Sequence, residues 1–205
     1  MPGVLLFGGS FNPIHHAHLI VSRAVAERLE ASRVVLIPGA SPPHKDRGQL
    51  APAEARLELC RLAVQGDPLF DVSDWELRQP GPNYSLLTVR HFRQALPADA
   101  EIFWLIGSDS LAELHTWHRV PDLLKECTIV TVGRRGTTEP DLSRLATMIT
   151  PAQLERLQAH VLETPLIEIS ATDIRARVQA GRSIRYLVPA AVADAIERRG
   201  LYRAS

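Results

Sequence analysis

Cysteine is scarce in this chain, long apolar runs are missing, and the charges cancel. The two cysteines, Cys60 and Cys127, sit in the apolar contexts LELCRLAV and KECTIVTV. They read as buried thiols of a cytoplasmic protein, which excludes a disulfide framework. No stretch approaches the roughly 18 apolar residues that cross a bilayer, so no membrane partner is expected. The run Val4–Phe7 is too short for a signal peptide and has no basic lead-in. Lys+Arg and Asp+Glu are equal at 23 each. No global basic field or basic, aromatic-interleaved stripe is therefore available for nucleic acid, which is excluded as a partner. Any anion site has to be built locally. Lysine is almost absent too: Lys45 and Lys125 are the two lysines among the 23 basic residues. Internal repeats and low-complexity segments are missing as well.

What remains is an ordinary globular composition, 45% apolar over 205 residues, enough for one domain spanning 1–205 with a sizeable core. Strand and helix signals alternate along it. VLLF, RVVLIPG, EIFWLIG and CTIVTVG are short apolar runs that predict buried strands, and LIEIS predicts another. HLIVSRAVAERLE, PAEARLELCRLAVQG, YSLLTVRHFRQALP, ATDIRARVQAG and PAAVADAIERRG carry helical spacing. Continuous apolar strands alternating with helices predict an α/β fold, a parallel sheet covered on both faces. Such a sheet binds ligands outside the carboxyl ends of its strands. PGASPPHKDRGQ and GRRGTTEPDLS read as loops.

The densest chemistry lies in FGGSFNPIHHAHL, directly after the first strand. Gly8 and Gly9 let the backbone turn sharply and approach a ligand without a Cβ in the way. Ser10, Phe11 and the turn signal Asn12-Pro13 follow, and then a helix whose N-terminus offers unpaired N–H groups and a positive dipole end. His15 and His18, three apart, share one face of its first turn. Three readings stand here: a phosphate cradle, a histidine-rich helix cap, and a metal site. The last has no cysteine or carboxylate partner at ligand spacing, and no metal ligand is expected. The glycines fit neither P-loop nor G-x-G-x-x-G spacing.

GGSFNPIHHAH resembles the G-G-x-F-[D/N]-P-x-H-x-G-H signature of the nucleotidylyltransferase superfamily, and ISATDIR, Ile169–Arg175, resembles its second signature, I-S-x-T-x-I-R. Ala17 stands where that family usually has glycine, and Asn12 where aspartate is commoner. SPPHK, GSDSLAELHTWHR and VGRRG are similar to segments of the bacterial nicotinate-nucleotide adenylyltransferases. The resemblance implies a Rossmann-like doubly wound parallel sheet with a small C-terminal helical part, about 170–205, completing an ATP site. It also implies the reaction: nicotinate mononucleotide attacks the α-phosphorus of ATP, pyrophosphate leaves, and the product is nicotinate adenine dinucleotide for NAD biosynthesis. Mg²⁺ would arrive with ATP. Self-association is left open.

Each remaining residue has a plain reading beside the implied one. Ser170 and Asp173 have capping-box spacing, while the resemblance sets Ser170, Thr172 and Ile169 on ATP, with Arg175 as a cation one turn in. Lys45 is either an exposed loop lysine or, beside His44, a compact ammonium near phosphate. Arg134 or Arg135 would approach from the opposite side. Gly107 ends a strand, and Asp109 either caps the next helix or accepts ribose hydroxyls. Trp117, in the polar surround HTWHR, either packs a helix or stacks on a pyridine ring. Ser85 opens a helix whose N–H groups suit a nicotinate carboxylate, and backbone donors near Trp117 would add to them. Catalysis would rest on His15, His18, Lys45 and Arg175. The rivals are an enzyme preferring the amide mononucleotide and a non-catalytic nucleotide-binding regulator; phosphopantetheine or cytidyl transfer fit the middle motifs less well.

Overall fold

A computed structural model describes residues 3–39, 50–133 and 141–203. Six parallel strands, β1 (Val4–Gly9), β2 (Arg33–Pro38), β3 (Phe70–Val72), β4 (Ile102–Gly107), β5 (Thr128–Gly133) and β6 (Val161–Glu163), form one sheet in the order β3-β2-β1-β4-β5-β6. The order reverses direction between β1 and β4, the doubly wound arrangement that the resemblance implies. The helices are α1 (His16–Arg28), α2 (Ala53–Ala63), α3 (Trp75–Arg78), α4 (Ser85–Ala95), α5 (Ser108–Ala112), α6 (Val120–Glu126), α7 (Ser143–Ala146), α8 (Pro151–Ala159), α9 (Ala171–Gln179) and α10 (Ala190–Arg198).

The central strands are apolar without interruption because both of their faces are buried. Leu5, Val34, Leu36, Phe103, Leu105 and Val130 point into one core, with α1, α2, α9 and α10 over it. Their strand neighbours Val4, Leu6, Val35, Ile37, Ile102, Trp104, Ile106 and Ile129 point into the other, beneath α4, α5, α6 and α8. The two-residue period of a strand distributes one apolar run between two cores.

One strand expectation fails. LIEIS is irregular, and its Leu166 is 60% exposed. The sheet edge is taken instead by the three-residue β6, which lies upstream of Pro165 and pairs with β5 from Thr131↔Val161 to Gly133↔Glu163. β6 and β3, three residues each, are too short to carry a periodic signal. No helix among the described residues is long and apolar enough to cross a membrane.

Candidate active site

The carboxyl ends of β1 and β4 open into a cavity of about 530 Å³, at the point where the strand order reverses. Phe7, Gly8, Gly9 and Ser10 come from β1 and its continuation, and Leu105, Ile106 and Gly107 from β4. A Cβ at Gly107 would meet nothing within 4 Å, so the strand end there is open. Gly8 and Gly9 differ. A Cβ on Gly8 would lie 2.9 Å from the Trp104 ring, and one on Gly9 3.1 Å from the Phe11 ring. Two aromatic rings take the room these glycines leave.

Phe11 then turns the chain through a left-handed conformation, φ 42°, while 2% exposed. Its ring meets Phe7 edge-on at 5.4 Å and His18 edge-on at 5.2 Å. His15 is the N-cap of α1 and its ring stacks on His18 at 3.6 Å. The His15 N–H donates to His18 Nδ1 at 3.2 Å, which assigns the His18 ring proton to Nε2. Burial, helped by the like charge of His16, lowers the His15 pKa to about 4. In the unliganded chain His15 is therefore neutral at pH 7. Its Nδ1 is buried without a hydrogen-bond partner. The helix end is also less open than expected, since His16 N–H donates to Leu187 O and His18 N–H to His15 O, each at 3.0 Å. Ala17 is helical and 9% exposed.

The second motif comes alongside the first. Ser170 is the N-cap of α9, and its Oγ accepts from Asp173 N–H at 3.0 Å. Arg175, one turn in, donates from Nη1 to Asn12 O at 2.9 Å and from Nη2 to Thr172 Oγ1 at 3.3 Å. Ser170 and Thr172 are exposed beside it, and Ile169 is partly buried against the core.

Ser85, the first residue of α4, and Trp117, at the end of the 3₁₀ turn Leu114–Thr116, both line the cavity. Trp117 N–H already donates to Leu114 O, and Thr116 N–H to Glu113 O, so those expected backbone donors are taken. Leu87 and Thr88 N–H groups both go to Tyr84 O, which leaves Ser85 and Leu86 to supply donors at this helix end. Asp109 is exposed in the first turn of α5 and does not cap it; Ser110 is the residue of that turn that lines the cavity. His44, Lys45, Arg134 and Arg135 lie outside the described residues.

Two residues on the cavity wall went unseen in the sequence. Glu76 is 7% exposed; its Oε1 accepts from Thr88 Oγ1 at 2.7 Å, and its backbone carbonyl accepts from Asn83 Nδ2 at 2.9 Å. That second bond fixes the Asn83 amide so that Oδ1 is a buried acceptor with no partner. Residues carrying acceptors, Glu76 and Asn83, thus line the cavity beside those carrying donors. Burial pushes the Glu76 carboxyl above its ordinary 4.5, opposed by the Thr88 hydrogen bond. The unfolded chain releases this proton near pH 4.5 and the folded chain holds it to higher pH, so folding is progressively penalised as pH rises from there. Glu76→Gln keeps an acceptor for Thr88 and removes the penalty. Its melting temperature should match the parent near pH 4 and exceed it by on the order of a few degrees at pH 8. Parallel melting curves across that range would contradict the assignment.

With this geometry in place, comparison with known proteins is specific. The family model described as cytidylyltransferase-like matches residues 6–177, and the chain belongs to that family of nucleotidyltransferases. Proteins named "Probable nicotinate-nucleotide adenylyltransferase" from Thermomicrobium roseum and Thermus thermophilus are each 42% identical over 198 residues. They cover 97% of this chain and, respectively, 90% and 98% of their own. One of the same name from Rhodopirellula baltica is 38% identical over 98% of this chain and 94% of its own. Within the nucleotidyltransferases, the chain is thus a member of the nicotinate-nucleotide adenylyltransferase family. Among solved structures, the Plasmodium falciparum nicotinic acid mononucleotide adenylyltransferase complexed with NaAD superposes with TM-score 0.76 at 15% identity. It covers 98% of both chains. The same protein complexed with APC gives 0.74 at 14%, again over 98% of both. These two establish the likeness of fold.

Proposed function

We infer that this chain transfers the adenylyl group of ATP to nicotinate mononucleotide, releasing pyrophosphate and forming nicotinate adenine dinucleotide in NAD biosynthesis. The observation that carries the inference is the bond from Arg175 to Asn12 O. It sets the N-terminal end of α9 beside that of α1, next to a cavity at the strand-order reversal. Two helix N-termini and a guanidinium suit the phosphates of ATP. The C-terminal segment from residue 170 completes that side. The cavity takes the mononucleotide, with Trp117 against the pyridine ring and the Ser85 and Leu86 N–H groups toward its carboxylate.

The chemistry asks for placement and charge neutralisation. A phosphate monoester with a second pKa of about 6 is mostly dianionic at pH 7, so attack needs no general base. Two anions must be brought into line, and negative charge growing on the α-phosphate and pyrophosphate must be met by donors already in position. His18 Nε2–H and Arg175 are those donors, Ser170 and Thr172 hydroxyls assist, and neutral His15 orients His18. The loop residues His44, Lys45 and Arg134 belong to the same proposal. Among the described residues no group of three His, Cys, Asp or Glu side chains could hold a metal ion. A divalent cation, Mg²⁺ in this proposal, would be held by the phosphates of the nucleotide it accompanies. It would supply further charge neutralisation. Two buried free thiols, Cys60 and Cys127, agree with a cytoplasmic setting.

One observation favours a second reading, in which the amide mononucleotide is preferred: Asn83 Oδ1 could accept from a carboxamide NH₂. The positive end of α4 weighs against it by favouring a carboxylate, and burial pushes the pKa of Glu76, which lines the cavity together with Glu113, above its ordinary value. Pyrophosphate release measured with ATP, Mg²⁺ and each mononucleotide should give a kcat/KM about 10- to 100-fold higher for the acid. An equal or higher value for the amide overturns the substrate assignment, and no release with either leaves a nucleotide-binding regulator.

A further inference from the structure

We propose that Arg56 is a positioning residue for the adenylyl transfer, on the reading of function given above. It belongs to α2 and is 1% exposed. Its guanidinium spreads across three backbone carbonyls: Nη1 donates to Ser10 O at 2.6 Å, Nη2 to Gly39 O at 2.8 Å, and Nε to Ala51 O at 3.1 Å.

Those three carbonyls are not scattered. Ser10 follows β1 and lines the cavity, Gly39 follows β2 and lines it too, and Ala51 lies just before α2. Two further bonds join the same segments. Gly39 N–H donates to Gly9 O at 2.9 Å, and Ala51 N–H donates to Asn12 Oδ1 at 3.0 Å. Asn12 is also the residue whose carbonyl receives Arg175. One guanidinium therefore registers the ends of two neighbouring strands and the entry to α2 against the turn that carries the first motif. It does so from behind the site, through the three main-chain carbonyls of Ser10, Gly39 and Ala51. A planar fork with donors in three directions can do this; the compact ammonium of lysine, at the end of an unbranched stem, cannot reach all three. The effect on the reaction follows from geometry, since Ser10 and Asn12 lead directly to His15 and His18, and small misplacements of reacting groups are costly in rate.

The test uses Arg56→Lys, which keeps the charge, and Arg56→Gln, which keeps a donor. Both should lower kcat with nicotinate mononucleotide by about 10- to 100-fold, with ATP affinity measured by titration within threefold of the parent. Amide hydrogen exchange should accelerate at least tenfold at Gly39 and Ala51 while Leu36 and Ile106, inside the sheet, stay as protected as before. A kcat within threefold of the parent overturns the proposal, as does exchange that rises equally throughout the sheet. Should neither variant fold, Asn12→Ala leaves the guanidinium in place but removes the acceptor of the Ala51 amide. It must then show the same loss of kcat, and full activity in it overturns the proposal. A parent chain that turns over neither mononucleotide overturns the reaction assigned above; a turning-over parent beside an unaffected Arg56→Lys overturns only the role of Arg56.

Discussion

Replacing His18 by alanine is expected to lower turnover by on the order of 10²–10³, the usual result of removing one preorganised donor from developing charge. The ring is held firmly: His15 stacks on one face, Phe11 and Phe7 meet it edge-on, and the His15 N–H donates to Nδ1. With Nδ1 accepting, the ring proton sits on Nε2. His16 is the control. Its backbone N–H holds Leu187 O, which alanine preserves, so His16→Ala stays within about threefold of the parent. Pyrophosphate release with circular dichroism unchanged in both variants is the measurement. Equal losses at the two positions would remove His18 from the proposed chemistry.

Arg175→Ala is expected to be comparably severe, on the order of 10²–10³ in kcat/KM for ATP. Two things are lost together: a cation one turn inside α9, and the bond to Asn12 O that sets the second motif against the first. The thermal cost is small by comparison. The side chain is partly exposed, and a single hydrogen bond from a charged donor contributes about 1.5–3 kcal/mol at most. Arg175→Lys restores charge but not the two-directional fork, and an intermediate loss of about tenfold follows. An Arg175→Ala enzyme within tenfold of the parent, but with lowered melting temperature, would make the residue a tie between segments and nothing more.

The sheet was legible because its middle strands are buried on both faces, and that leaves runs such as VLLF and EIFWLIG with no polar interruption. Strand ends then located the cavity. LIEIS misled because Ile167 and Ile169 alternate with Glu168 in strand fashion while only half-buried against the core, with the edge position already filled upstream. Ser170 was legible as a cap and is one; nothing in its spacing could say whether phosphate also visits. Arg56 carried a signal that went unused. With Leu59, Cys60 and Ala63 it lies on the apolar stripe of α2, and a charge on such a stripe is either paired or put to use. Glu76 had no such signal, because α3 is four residues long and supports no periodic argument. Phe11 could not be read either, since a bulky residue at positive φ is held there by tertiary packing that local sequence does not encode.

The bond between Arg175 and Asn12 spans 163 positions, and this governs the order in which the molecule can be made. Synthesis delivers β1 and α1 first, and the sheet can grow outward from them as β2 and β4 emerge. On the proposed reading, the nucleotide side of the site cannot close until α9 has also been released, and α9 and α10 are needed as well to cover one of the two cores. Affinity for nucleotide would therefore be acquired last, together with the completion of that core. A partly folded chain can hold an intact sheet and still be blind to ATP, whereas nucleotide bound to the finished chain stabilises the junction that took longest to assemble.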